Sequence, residues 1–351
     1  MKHLLFAVMI TFASTNVSAQ QHNDTITPLQ ISFVPGLGIY NKQHQQVTNQ
    51  FSFNILGGTN GGVNSVEVGG LFNIDKKNVQ RVQVAGIFNV VGGTVYGVQT
   101  AGIFNIVNKK LTGVQVAGIY NHTLDSITGV QAAGICNVAG KQLHGIQTAG
   151  IANITNGLTD GVQVAGILNY TKRLKGVQVG LINIADSSDG YSIGLINVVR
   201  QGYHKVAVYS NELQHVNIAV KTGSSKFYSI LLAGANADNK RKSYSFGFGI
   251  GREILLSNHF SFNPELSSQY IYQGSWDFCN ILNRANILFN YKITRHLAIF
   301  GGPAFNVFYS NQHYPIGDYK LAPATGNYHS FKIGDKDVHG WFGWSAGVSV
   351  F

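Results

Sequence analysis

The chain reads as all-β: a tandem-repeat β-solenoid combined with an antiparallel β-barrel of the outer-membrane type. Three observations predict it. A nine-residue unit recurs every sixteen residues from Ser65 to Asn169, and fixed self-similarity is the signature of a stacked repeat architecture. Beyond Tyr203 the pattern changes to long runs that alternate with period two. Charged residues are 11% of the 351, against about 25% in an ordinary soluble domain, yet mean hydropathy is only +0.06. Low charge, many aromatics and no long apolar helix fit a β-protein whose outside touches lipid.

The copies read SVEVGGLFN (65–73), RVQVAGIFN (81–89), GVQTAGIFN (97–105), GVQVAGIYN (113–121), GVQAAGICN (129–137), GIQTAGIAN (145–153) and GVQVAGILN (161–169), and two shorter ones end at Asn183 and Asn197. A straight strand per copy, in a meander, is one reading. The constant aliphatics argue for another. Val66, Val82, Val98, Val114, Val130, Ile146 and Val162 lie five residues before Leu71, Ile87, Ile103, Ile119, Ile135, Ile151 and Ile167. An odd spacing puts them on opposite faces of a straight strand; a turn at the intervening Ala-Gly lets both face inward. GVQVGLIN (176–183) has lost one residue at that point, which would flip every later side chain in a strand but is tolerated in a glycine turn. The spacers vary in sequence and not in length, as coils in step require. The expectation is a solenoid of sixteen-residue then fourteen-residue coils over 61–200, with two short strands per coil. Gln83, Gln99, Gln115, Gln131, Gln147 and Gln163 then form one row and the asparagines another. Such a row is open to two readings: an exposed surface for a glycan or protein ligand, or amide ladders that satisfy one another.

Residues 1–19 read as a secretory leader. Lys2 and His3 precede an apolar run from Leu4 to Ala13, and Val17-Ser18-Ala19 is a small-residue cleavage site. The run is too short to span a bilayer. Loss of Lys2 with the leader takes the net charge from +10 to +9. That suits anionic headgroups, and without basic runs it does not suggest nucleic acid. Cys136 occupies a slot otherwise held by Phe88, Phe104, Tyr120, Ala152 and Leu168 and reads as a small core hydrophobe; Cys279 lies in another region.

Two strand-like runs, Gln30–Tyr40 and Gln46–Leu56, are assigned as first barrel strands (28–57). The rest of the barrel is placed in 203–351, with candidates at His204–Ser210, Gln214–Lys221, Lys226–Ala235, Ser243–Arg252, His259–Tyr272, Asp277–Tyr291, His296–Tyr309 and Gly340–Phe351. In SYSFGFGIG (243–251) the face is Tyr244, Phe246, Phe248 and Ile250; in the last run it is Phe342, Trp344, Ala346, Val348 and Val350. Apolar outside and small or polar inside is the barrel pattern; a sandwich half-buried on one side is the alternative. Phe351 ends the chain out of phase with Val350. Closure is expected between the Gln30–Tyr40 strand and the last one, for eight or ten strands.

The nonapeptide GVQVAGIFN and its shorter form GVQVGLIN resemble the bacterial surface-repeat-containing proteins, whose copies carry a G-[LV]-Q-x-G-[LI]-x-N core. HVNIAVKTGSSKFYSILLAG followed by SYSFGFGIG also looks like the segment after such repeats. The resemblance covers most of the mature chain and implies an envelope or surface location. It brings no activity, cofactor or catalytic residue with it.

Residues that could carry chemistry are sparse. The twelve histidines form no HxH or HExxH arrangement of the kind that binds zinc. GFGIG (247–251) lies within a strand pattern rather than before a helix, which makes it structural. Asp335, Asp337 and His339 cluster by a long loop, and His259 and Glu265 share a strand; some barrel enzymes work with such residues at the rim, while a solvated loop edge looks the same. The reading is a non-enzymatic outer-membrane or surface protein without cofactor, partnered by outer-membrane lipid and by a glycan or protein ligand. Alternatives are a channel, whose wall would include the repeats and reach about eighteen to twenty strands, and a lipid-modifying barrel enzyme.

Overall fold

The computed structural model describes residues 26–39, 45–236, 242–319, 321–322, 329–333 and 336–351; the expected leader and Asp335 lie outside them. Each sixteen-residue unit is one coil of two strands, for example Leu111–Ala117 and Tyr120–Thr123, with the corner at Gly118-Ile119. Successive coils pair parallel and in register. Gln115 lies between Gln99 and Gln131, and Asn121 between Asn105 and Asn137. The shortened copies keep step, Gln178 beside Gln163 and Asn183 beside Asn169, so the lost residue is absorbed at the corner. Coils approach closely there: a Cβ on Gly118 would sit 2.1 Å from the Gly102 carbonyl oxygen.

The corner was legible, but its direction was not. The two aliphatic rows do face the same way, and that way is outward. Val98 and Ile146 are 40% and 44% exposed, and Ile119 and Ile151 are 43% and 45%. Gln99, Ala101 and Asn105 fill the interior instead. Neighbours along a strand alternate, so seating the amides inside turns the valines out. Amides repeating at the inter-strand spacing of about 4.8 Å find a donor and an acceptor in adjacent coils, whereas aliphatics need no such partner. Cys136 shares this outward placement; it is half-exposed rather than in the core, and both cysteines are free thiols.

The runs assigned to the barrel at 28–57 belong to the solenoid. Ile26–Val34 pairs parallel with Thr48–Asn54, which pairs parallel with Gly62–Gly69. Their inward Ser32 and Asn54 extend the polar interior: Ser32 Oγ donates to Asn54 Oδ1 at 2.6 Å, and Asn54 Nδ2 to Asn73 Oδ1 at 2.9 Å. Strand length could not separate the two assignments; the polar inward residues, matched to the repeat, decide them.

The barrel closes without them. Its eight strands are β1 (Tyr203–Asn211), β2 (Val216–Ser224), β3 (Phe227–Asn236), β4 (Ser243–Gly251), β5 (Phe260–Tyr272), β6 (Asn280–Lys292), β7 (Leu297–Ser310) and β8 (Lys336–Val350). Each pairs antiparallel with the next, and β8 returns to β1 with Val348 opposite Val208. The expected closure onto Gln30–Tyr40 is therefore not made, and the repeat strands do not enter the wall. Short turns at 225–226 and 293–296 share one end with the C-terminus, while the connection from Asn311 to the start of β8 lies at the other. The solenoid feeds β1 from the short-turn end, and its last coil abuts the outer wall. There the Asn197 N–H donates to Ser229 Oγ at 3.4 Å, and Lys226 Nζ to the Asp189 carbonyl at 3.0 Å.

Candidate functional site

The solenoid interior is built on two amide ladders of opposite sense. Gln99 donates back to Gln83 at 2.7 Å, Gln115 to Gln99 at 2.8 Å, and the series runs on to Gln178. Asn89 donates forward to Asn105 at 2.9 Å, and its second hydrogen reaches the Thr100 carbonyl at 2.8 Å. Opposed amide dipoles offset one another while each chain polarises its own members. Gln83, Gln99, Gln115, Gln131, Gln147 and Gln163 are all fully buried. The Gln row is thus no ligand surface; its amides are occupied by one another.

At its first coil the Gln ladder ends on carboxyls. Gln83 Nε2 donates to Glu67 Oε2 at 2.7 Å and to Asp75 Oδ2 at 2.6 Å. Asn54 and Asn60 donate to the other Glu67 oxygen. Burial lifts the Glu67 pKa. Burial and then the neighbouring Glu67 charge lift Asp75 well above the usual carboxylate range. The sequence held a signal for this pair that went unread: Glu67 stands in the Gln slot, and Asp75 stands where later coils have Val91, Val107 and Thr123.

The barrel lumen is occupied by side chains. Toward the short turns Tyr203, Tyr228, Ile230, Leu288 and Phe300 form one apolar cluster. Beside it Lys221 pairs with Glu265, and Tyr228 Oη donates to the same carboxylate at 2.7 Å. Lys205 pairs with Glu253 at 2.7 Å, and its Nζ lies 4.3 Å from the centre of the Phe351 ring. The odd phase of Phe351 is thus explained: it covers the lumen rather than facing out. Nearer the other end, Arg284 meets Glu212 through two bonds of 2.9 and 3.1 Å, and Asn306, Trp341 Nε1 and the Trp344 N–H converge on the same carboxylate. An eight-stranded barrel is just wide enough for such filling.

The other candidates separate. Glu265 is inside the barrel, whereas His259 is exposed at a short turn. Asp337 is bonded to His313 at 2.9 Å on the long-connection side, with His339 two residues along β8. Of the nearby hydroxyls, Ser310 is committed as a donor to Asn280 at 2.6 Å. GFGIG lies within β4, as its alternation predicted. No family model, curated protein or solved structure matches the chain.

Two outward surfaces remain. The barrel's is apolar through its middle, with Val208, Ile218, Leu231, Phe248 and Val348 exposed. Aromatics cluster at both ends of the β5–β6 face: Tyr270, Tyr272 and Trp276 pack together at one, Phe260 and Tyr291 at the other. From Phe260 to Tyr270 ten residues rise about 33 Å along the strand, or about 25 Å along the barrel axis for a strand tilted by about 40° from it. The solenoid's outward surface is divided, with Leu and Ile along the corner edge and lysines along the opposite one. On that second edge Lys141 bonds Asp125 at 3.1 Å, holding its carboxyl below the usual range, and Arg173 meets Asp189 at 3.0 Å.

Proposed function

We propose that the chain is a non-enzymatic β-protein of the bacterial outer membrane, in which the barrel is the anchor and the solenoid is the structural or interaction module it carries. The observation that supports this is the barrel's outer surface, an apolar band between aromatic clusters that lie about 25 Å apart at a strand tilt of about 40°, the dimension of an outer-membrane wall. The leader-like first nineteen residues and the likeness of the repeats to bacterial surface-repeat-containing proteins point the same way. A glycan or protein ligand would have to meet the solenoid's outward side chains, since its amides are spent internally.

The channel reading counted every repeat strand in the wall, and the eight-stranded barrel closes without them. The enzyme reading is left with the exposed His313–Asp337 pair. Fractionation of expressing cells tests the proposal. A heat-modifiable band in the outer-membrane fraction, with no conductance steps in planar bilayers, is the expected result. Discrete steps would reinstate the channel, and envelope lipids altered by the native chain but not by Asp337→Asn would reinstate the enzyme.

A further inference from the structure

A charge-free edge runs the length of the solenoid. From Val66 to Val198 the outward positions flanking each Gly-Ile or Gly-Leu corner hold no Lys, Arg, Asp or Glu in any coil. The crest of this edge is Leu71, Ile103, Ile135, Ile167, Leu181 and Leu195, each more than 40% exposed. Beneath it, backbone donors are satisfied from coil to coil: Ile103 N–H reaches the Ile87 carbonyl at 2.8 Å and Ile119 N–H the Ile103 carbonyl at 3.0 Å. The asparagine ladder takes up strand carbonyls beside the corner, as Asn105 does with Val116 at 2.8 Å. Hydrocarbon demands this of any backbone it surrounds. The opposite edge carries Lys76, Lys109, Lys110, Lys141, Lys172 and Arg200.

The last coil fixes the level of both edges against the barrel. Leu195 shares an apolar groove of about 650 Å³ with Ile218, Val220, Leu231 and Phe248, outward residues from the middle of β2, β3 and β4. Asp189, on the charged edge, is bound by Lys226 in the β2–β3 turn. The apolar crest therefore continues the barrel's mid-height band, and the basic edge lies level with its short turns. From Val114 to Gly118 four residues span about 13 Å, close to half the thickness of a ~30 Å hydrocarbon core.

We propose that the apolar edge is immersed in lipid. The solenoid is an arm lying in the leaflet on the barrel's short-turn side, with its Leu and Ile crest among acyl chains and its basic edge at anionic headgroups. The inference rests on the barrel being membrane-embedded, and the test separates the two. Cys136 sits on the flank of the crest and Cys279 does not, so Cys279→Ser leaves one thiol to carry a bimane label. Two further single-thiol chains, both with Cys136→Ser and Cys279→Ser, add Lys141→Cys on the basic edge or Val348→Cys on the barrel band. All three go into vesicles of phosphatidylcholine and phosphatidylglycerol brominated at mid-chain, and heat-modifiable migration shows each is folded.

Brominated lipid should quench the labels at Cys136 and Val348→Cys, while aqueous iodide should quench only the one at Lys141→Cys. Lipid quenching at Val348→Cys with iodide quenching at Cys136 overturns the immersed arm and leaves the membrane barrel standing. Quenching of Cys136 by neither agent means that protein, such as a second copy, covers the edge, and also overturns it. Iodide quenching at Val348→Cys removes both readings.

Discussion

Gln83 donates its amide to the Glu67 carboxylate across 2.7 Å, and there the glutamine ladder stops. Every later glutamine gives a hydrogen to the coil before it, so the first needs an acceptor that asks for nothing back. A carboxylate accepts without donating. Two other amides, Asn54 and Asn60, point at the same group. Burying the charge is costly, and Asp75 adds a second carboxyl beside it.

That cost gives the first coils a pH dependence. Both folded-state pKa values are raised above their ordinary 4.5 and 3.8. The pair's contribution to stability is therefore complete below about pH 4 and is lost as pH rises through the raised values. Amide protection over residues 62–91 should fall between pH 4 and pH 8 relative to coils 143–174. Asp75→Thr supplies the hydroxyl that Thr155 gives to Gln147 at 3.2 Å. It should raise stability at pH 8, where the buried charge otherwise exacts its full cost, and flatten the profile. Equal pH dependence in the two proteins would exclude the carboxyl pair as its source.

The positive-φ slot that opens each copy offers a second test. Gly97, Gly113, Gly129, Gly145 and Gly161 all have positive φ, and Arg81 fills the same slot at φ 66°. A side chain in that region costs about 1–2 kcal/mol, part of which a glycine returns as unfolded-state entropy. Arg81→Gly should stabilise by about 0.5–1 kcal/mol. Gly113→Ala should do the reverse, by about 3 kcal/mol or more, because its Cβ would lie 2.0 Å from the Gly97 oxygen and packed coils relax little. Urea midpoints compare the two; destabilisation by Arg81→Gly would mean that its side chain has a role the backbone does not reveal.

All eight barrel strands were legible because period two, aromatic faces and turn residues agree with one another along β1 to β8. The solenoid was legible as a period. Its orientation was not, since an outward aliphatic row and an inward one share the same spacing, and the deciding fact is that stacked Gln115 and Asn121 each bond to their own copies in the adjacent coils. The first strands were misassigned for a related reason. Residues such as Ser32 and Asn54 look like lumen-facing polar residues until their parallel partners are known. Lumen pairs such as Arg284 with Glu212 are 72 residues apart, and nothing local signals them.

That pair should show strong non-additivity. Arg284 is 3% exposed and takes both Glu212 oxygens. Removing one partner strands a buried charge, at about 3–5 kcal/mol, whereas removing both often costs little. Glu212→Gln should lower the temperature of the heat-modifiable transition sharply, and Arg284→Met alone should do likewise. The double substitution should recover most of the loss. Additive losses would show that the carboxylate serves mainly Asn306, Trp341 and the Trp344 N–H.

Deleting one whole repeat tests the stacking itself. Removal of Asn89–Phe104 joins Phe88 to Asn105 and brings Gln83 beside Gln115 and Asn73 beside Asn105, so both ladders close again with one coil fewer. Solenoid stability is close to a sum of coils and their interfaces, so the protein should still fold, and the barrel should still be heat-modifiable because no wall strand has been lost. Removal of Asn89–Ile103 takes out fifteen residues instead and leaves Phe88 followed by Phe104. Asn105 then arrives one position late and its amide faces out, so the forward ladder breaks at that coil. Amide protection should survive the first deletion throughout the remaining coils and fail around residues 79–117 in the second. Loss of heat-modifiability in the sixteen-residue deletion would mean that the repeats contribute wall strands after all.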